Sequence, residues 1–150
     1  MADDKGRTAL YFACQKGNIA LVELLLGKGA DVGGKSSEWN IPLYLACKRG
    51  YNSIVKVLLE NGAKPNYKNG EMHGPLYYAV RNKHIDVVKI LLERGTEPLA
   101  ISASRAVVSP NQRDWCSTSE QILQLLKEAH SQNLLQDVTK SHQIIHRNGL

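Results

Sequence analysis

Apolar residues recur along the first hundred positions of this chain with a period of 33 residues. Within each period they fall in two short runs, with apolar positions three and four apart as in helices. The recurring runs are Leu10 to Ala13, Leu43 to Ala46 and Leu76 to Ala79, followed by Val22 to Leu26, Val55 to Leu59 and Val88 to Leu92. The pattern therefore predicts three units, each made of two short helices.

Residues that begin and end helices recur at matching places in the units. Thr8 can cap the first helix through its hydroxyl, and a proline suits the same helix start in the second and third units. Gly17 and Gly50 suit the left-handed conformation that ends a helix, whereas Lys83 holds that position in the third unit. The second helices are too apolar to be covered on one side only. Because stacking about three such units buries a continuous core, the sequence predicts an all-α solenoid of stacked helix-turn-helix units with short hairpin-like loops.

The strings GRTALYFA, IPLYLA and GPLYYA in the three first helices resemble the ankyrin repeat family, as does GADV at the end of the first unit. The resemblance covers residues 3–101. It implies a stack whose hairpin tips are the fingers and whose first helices are the palm of a cupped hand. Tyr11, Tyr44 and Tyr77 stand where the family has histidine. We expect them to pack between the first helices with their hydroxyls at the edge, the alternative being direct contact with a ligand.

The predicted ankyrin-repeat domain covers residues 3–130. Its parts are the repeats 3–35, 36–68 and 69–101 and a degenerate cap at 102–130. In the cap, Ser117 and Glu120 form a capping-box pattern before an apolar run, which predicts a helix near 119–130. A short helix is expected at 99–108 and a loop at 109–118. The C-terminal tail, 131–150, is expected to be a weak helix or disordered.

The resemblance also implies where a partner binds, because partners of ankyrin repeats lie along the palm and the tips. The tip residues expected to contact a partner are Arg7, Glu38, Trp39, Asn40, Met72 and His73. Trp39 stands where the family prefers glycine, and tryptophan is enriched in binding hot spots, so it is the foremost contact candidate. In the alternative, the Trp39 ring folds back onto the second repeat.

Basic residues end the first helix of every repeat: Lys16, then Lys48 and Arg49, then Arg81 and Lys83. Cations at a helix C-terminus interact favourably with the macrodipole, by about 0.3–1 kcal/mol each, which gives them a structural reason. Stacking would also place them side by side on the palm. A positive stripe of that kind would attract an acidic segment of another protein.

The formal net charge of +5 comes from 19 Lys and Arg against 14 Asp and Glu. This excess is far below that of a dedicated nucleic-acid binder, so we expect a protein partner and no nucleic acid. The charge divides into +1 for residues 3–35, +3 for 36–68, zero for 69–101 and +1 for 102–150. The excess is therefore concentrated in the second repeat. We expect the chain to be a monomer.

Two motifs suggest chemistry that their surroundings do not support. Residues 29–36 match the pattern GxxxxGK[ST], but a P-loop needs a strand before it and a helix opening at its lysine, and here a predicted helix comes first. His142 and His146 are spaced like a zinc-binding pair, but a zinc site normally takes at least three protein ligands. We therefore expect no catalytic, cofactor-binding or metal-binding residues and no enzymatic activity. His84, at a helix start, is expected to be a polar surface residue.

Cys14 and Cys47 hold the same position in adjacent repeats, where stacked helices lie about 8–10 Å apart, too far for a disulfide. Together with Cys116 they are expected to be reduced, in the cytoplasm or nucleus. The longest apolar stretch, Ile19 to Leu26, is too short to span a bilayer, so no membrane association is expected. The sequence thus predicts a non-enzymatic interaction module or adaptor. The alternative is a regulatory inhibitor or targeting subunit of an enzyme or transcription factor, either whole or as a fragment of a longer ankyrin protein.

Overall fold

The structure, a computed structural model, describes residues 3–4, 6–33, 41–66, 74–98 and 117–147, without the side chains of 117–119, 137–138 and 141–147. The described residues form helices and no β-strand. The helices are α1 (Ala9–Lys16), α2 (Ile19–Gly27), α3 (Pro42–Arg49), α4 (Asn52–Glu60), α5 (Pro75–Arg81), α6 (Ile85–Glu93) and α7 (Ser117–Arg147). These helix pairs confirm the predicted all-α architecture. The hairpin tips at 34–40 and 67–73 lie outside the described residues.

Four of the described helices, α1, α2, α3 and α5, begin at a residue that favours a helix start. The Thr8 hydroxyl accepts a hydrogen bond from the backbone N–H of Tyr11 over 3.2 Å, as predicted for an N-cap. Asn18 caps α2 in the same manner, accepting from the N–H of the third helical residue over 3.1 Å. Helices α3 and α5 begin at Pro42 and Pro75, whose missing amide hydrogen and fixed φ suit a first turn.

In the second repeat and again in the third, an aromatic ring packs over the glycine that ends the first helix of the preceding repeat. Gly17 and Gly50 have φ values of +69° and +73°, and the rings beside them belong to Tyr51 and His84. A Cβ atom at Gly50 would lie 2.6 Å from Nδ1 of His84, so this site has no room for a side chain. Nε2 of His84 donates to the carbonyl oxygen of Lys48 over 3.0 Å. His84, expected from the sequence as a polar surface residue, is therefore half-buried and ties the third repeat to the second.

Lys83 follows α5 with a φ of +60°, the left-handed conformation held by glycine in the first two repeats. The sequence has serine, and no aromatic residue, 33 positions after His84. The rings of Tyr51 and His84, which pack beside Gly17 and Gly50, thus have no aromatic counterpart at the equivalent sequence position after Lys83. The third repeat keeps the turn without glycine, at a backbone cost of about 1–2 kcal/mol.

The helices pack in two rows. Helices α1, α3 and α5 contact one another in order and form the inner row, and α2, α4, α6 and α7 form the outer row. One continuous core lies between the rows, and its largest fully buried side chains include Leu10, Leu43, Ile54, Leu58, Leu76 and Leu91. Burial of a leucine or isoleucine contributes about 1.5–3 kcal/mol. Stacking buries these residues together, which no single helix pair could do.

Helix α7 packs against α6 and buries Ile122 and Leu126 to 1% and 4% exposure. The sequence predicts a helix near 119–130 and a weak helix or disorder after it, whereas α7 runs without a break to Arg147. The helix contains neither glycine nor proline, and this lack of helix breakers explains how it continues through a polar segment. Residues 99–116, with the predicted short helix and loop, lie outside the described residues, so the degenerate cap stays a prediction.

Asn66 links the turns that follow the second and third repeats. Its Nδ2 donates to the carbonyl oxygen of Gly95 over 3.3 Å, and its Oδ1 accepts from the backbone N–H of Glu97 over 3.2 Å. An ion pair between Arg94 and Glu60, 3.4 Å long, joins the same two repeats. Because such exposed pairs contribute about 0–1 kcal/mol, the core supplies the stability and these contacts fix the register.

Candidate protein-binding surface

The palm is the surface formed by the exposed residues of α1, α3 and α5. Each of these helices carries basic residues in its last turn: Lys16 in α1, Lys48 and Arg49 in α3, and Arg81 in α5. All four residues are exposed. Because the three helices are equivalent parts of neighbouring repeats packed side by side, their basic ends lie in one row.

Acidic residues are absent from the palm helices. The sequences of α1, α3 and α5 hold one, two and one basic residues and no Asp or Glu. The acidic residues of the first three outer helices are Glu23, Glu60, Asp86 and Glu93. Within the part of the chain that the structure describes, no carboxylate lies within the 4.0 Å ion-pair distance of the four palm cations. The described residues therefore leave the positive charge of the palm unneutralised.

An aromatic cluster lies on the palm between the second and third repeats. The ring of Tyr78 lies 5.5 Å from that of Tyr44 and 5.4 Å, edge to face, from that of Tyr77. The Tyr77 hydroxyl accepts a hydrogen bond from the Arg81 guanidinium over 3.3 Å. Tyr44 is buried, whereas Tyr77 and Tyr78 are half-buried and leave ring surface beside a cation. Tyr78 is a palm residue that was not predicted, and the sequence signal for it is the aromatic Phe12 at the same position of the first repeat.

Arg7, at the first tip, is held by contacts within its own repeat. Its guanidinium pairs with the Asp3 carboxylate at 2.6 Å, and its Nε donates to the same group over 2.8 Å. The guanidinium carbon also lies 5.0 Å from the centre of the Phe12 ring. The hydrogen bond to Asp3 raises the pKa of Arg7 above its ordinary value. A partner would therefore meet an arginine whose charge is already paired.

Five of the predicted contact residues belong to the other two tips: Glu38, Trp39, Asn40, Met72 and His73. They lie outside the described residues, so their contacts stay predictions. Lys83 is described and exposed, just beyond the end of α5. The structure thus places the predicted basic residues in the last turns of neighbouring palm helices, with Lys83 two residues beyond the end of α5.

Two sequence motifs suggest other functions: the P-loop pattern at residues 29–36 suggests nucleotide binding, and the spacing of His142 and His146 suggests zinc binding. The pattern at 29–36 follows helix α2, where a P-loop would need a strand, and it begins with a left-handed turn at Gly29. Its Lys35 and Ser36 lie outside the described residues. Where side chains are described, no group of three or more His, Cys, Asp or Glu could hold a metal ion, and the side chains of His142 and His146 are not among them. No helix in the described ranges is long and apolar enough to cross a membrane.

Cys14 and Cys47 are free thiols with 0% exposure. Burial raises the pKa of Cys14 to about 12 and holds that of Cys47 well above its ordinary value. A neutral, enclosed thiol is a poor nucleophile. Both cysteines are therefore core residues of the first and second repeats, while Cys116 lies outside the described residues.

Comparison with known families agrees with the repeat geometry. The sequence matches the family model described as ankyrin repeats (3 copies) over residues 1–69 and again over 35–102. The two matches together span 102 of the 150 residues. A search of curated proteins gives no match. From the two matches, the 33-residue period and the stacked helix pairs, the chain belongs to the ankyrin repeat family.

Proposed function

We propose that this chain is a non-enzymatic module that binds an acidic segment of another protein along its palm. Ankyrin repeats are generally protein–protein interaction modules. The observation that supports an acidic partner is the separation of charge between the two rows, with only cations on the palm helices. Lys48 and Arg49 belong to the repeat with the largest positive excess, so the centre of the site is placed there.

Binding by the palm combines charge with apolar contact. An exposed ion pair contributes only about 0.2–1 kcal/mol, so four cations alone would hold a peptide weakly. The rings of Tyr77 and Tyr78 offer apolar surface beside Arg81, and the predicted tip contact of Trp39 would add to it. Because stacked helices hold the two tyrosine rings in place before binding, little conformational entropy of these side chains is lost on docking.

We further infer an adaptor role in the cytoplasm or nucleus. The free buried thiols Cys14 and Cys47 support a reducing compartment. The modest net charge of +5 argues against nucleic acid as the ligand. A single copy contains the whole palm, so partner binding needs no second copy of the chain.

The test measures binding of a fluorescent peptide of alternating Glu and Leu, beside the same peptide with Gln in place of Glu. The palm variant Lys48→Gln/Arg49→Gln is compared with Lys56→Gln/Lys89→Gln, which removes two exposed cations from the outer row. Both variants have the same net charge. We expect the palm variant to weaken binding about fivefold at low salt and the outer variant less than twofold. The difference should shrink as salt is added.

Four results would count against the proposal. Equal weakening by both variants would mean that the peptide responds to net charge and not to the palm. Equal binding of the Glu and Gln peptides would remove the acidic class of partner. Absence of binding by the wild-type chain, or binding indifferent to ionic strength, would remove electrostatic recognition by this surface.

A further inference from the structure

Large exposed apolar side chains form two clusters in the part of the chain that the structure describes. The first cluster is Leu21 and Leu24 of α2, which are 39% and 58% exposed, whereas Phe12, 39% exposed, lies on the palm helix α1 and is not part of it. Leu134 and Leu135 lie in the second half of α7 and are 54% and 68% exposed. The first cluster lies on α2, the first outer helix that the structure describes, and the second lies on α7, the last. The clusters therefore mark the two ends of one row of helices.

The residues of the first cluster hold positions that are buried in one or both of the next two repeats. Leu21 corresponds to Ile54 and Val87 of the next two repeats, which are 2% and 0% exposed. Leu24 corresponds in the third repeat to Ile90, which is 7% exposed. Helices α4 and α6 each have the second helix of the preceding repeat beside them, whereas α2 is the first outer helix among the residues that the structure describes. This side of α2 thus has the composition of a helix interface and the exposure of a surface.

The second cluster faces away from the repeat that α7 covers. Leu134 and Leu135 follow the buried Ile122 by 12 and 13 residues, which places them about 120° and 220° around the helix from it. Helix α7 has 31 residues and α6 has nine, so their lengths are about 46 Å and 13 Å. The second half of α7 therefore extends past the helix it covers and carries leucines on its other side.

We propose that copies of this chain associate head to tail, with the second half of α7 of one copy packed on α2 of the next. The contact continues an interface already present in the chain. Each outer helix packs against the next outer helix, so a helix within the row has one side against the preceding outer helix and one side against the following one. Among the helices that the structure describes, none packs on the side of α7 that faces away from α6 or on the side of α2 that faces away from α4. A second copy supplies each with the missing neighbour, and the association uses surfaces other than the palm.

A head-to-tail contact joins two different surfaces, and this gives it a distinctive test. Leu24→Lys removes the α2 surface and leaves α7 intact, while Leu135→Lys does the reverse. Both side chains are more than half exposed, so neither change should affect folding. We expect the mass of the wild-type chain by size-exclusion light scattering to rise between about 10 and 500 µM, because a small interface associates weakly. Each variant alone should stay monomeric, with a dissociation constant raised at least tenfold.

A mixture of the two variants should form a discrete one-to-one dimer, since one intact α7 can then pack on one intact α2. Glu23→Gln and Glu120→Gln are the controls, because they change the net charge equally at exposed positions of the same two helices. Leu24→Gln and Leu135→Gln repeat the test without adding charge, and melting temperatures check the fold of every variant. The Glu23→Gln and Glu120→Gln variants should associate like the wild type.

The alternatives give different patterns. If α2 paired with α2, only Leu24→Lys would stop association and mixing would not rescue it. If α7 paired with α7, only Leu135→Lys would do so. Either pattern, or a wild-type chain that stays monomeric over the whole range as the sequence alone predicts, overturns the proposal.

Discussion

Replacing Gly50 by alanine tests whether the His84 ring holds the second and third repeats together. The φ of +73° at Gly50 costs an L-residue about 1–2 kcal/mol. The new Cβ, 2.6 Å from Nδ1 of His84, would also displace the ring. Loss of the His84 hydrogen bond to the Lys48 carbonyl adds about 0.5–1.5 kcal/mol. We expect Gly50→Ala to lower the free energy of unfolding by about 1.5–3.5 kcal/mol.

Gly62→Ala is the matched control for the backbone cost. Its φ is +91°, and nothing lies within 4 Å of an added Cβ. Only the left-handed conformation is then penalised, so the free energy of unfolding should fall by about 1–2 kcal/mol. The difference between the two glycine substitutions isolates the contact with the ring.

Urea unfolding followed by circular dichroism measures these free energies for the single variants and for Gly50→Ala combined with His84→Ala. Removing the ring removes the clash. In the His84→Ala background, Gly50→Ala should therefore cost no more than Gly62→Ala does in the wild type. If Gly50→Ala cost the same free energy with and without the His84 ring, the two effects would be additive. That result would refute the proposal that the ring at Gly50 holds the second and third repeats together.

Two further predictions concern the first helix and the buried thiols. Thr8→Ala should lower the free energy of unfolding by about 1 kcal/mol, because the N–H of Tyr11 loses its acceptor. In the same urea assay, replacing the exposed Ser53 by alanine should change the free energy of unfolding little. Equal effects of the two substitutions would contradict the capping role of Thr8. Burial raises the pKa of Cys14 from 9.0 to about 12, so folding favours the neutral thiol and stability is lost as pH rises above 9.0, where the unfolded thiol ionises. The melting temperature should therefore fall at alkaline pH less steeply for Cys14→Ala/Cys47→Ala than for the wild type, and parallel curves would contradict this.

The sequence predicted the features that depend on residues a few positions apart. The Thr8 cap, the proline starts and the left-handed turn at Gly17 each follow from local chemistry, and the structure has all three. The 33-residue period extended this local information to the whole stack. The basic row of the palm followed from the same register, because equivalent positions of stacked repeats become neighbours in space.

Features that depend on which helix lies alongside could not be predicted in this way. Leu21 and Ile54 hold equivalent positions and read alike in the sequence, yet one is 39% and the other 2% exposed. His84 looked like a surface residue because its contact with Gly50 crosses between repeats. The polar composition after residue 130 is compatible with a weak helix or with disorder, and α7 continues as a helix to Arg147 through a segment without glycine or proline.

The net charge of the chain understates how polarised the molecule is. The three palm helices together carry four basic residues and no acidic one, while the acidic residues of α2, α4 and α6 lie on the other row. A field of this kind acts on a partner within about a Debye length, roughly 8 Å at physiological salt, so the palm is sensed before distant carboxylates can offset it. The apolar clusters that we propose for self-association belong to the two ends of the outer row. The Leu24→Lys and Leu135→Lys variants should therefore bind the acidic peptide like the wild type, and a loss of peptide binding would show that the two surfaces are not separate.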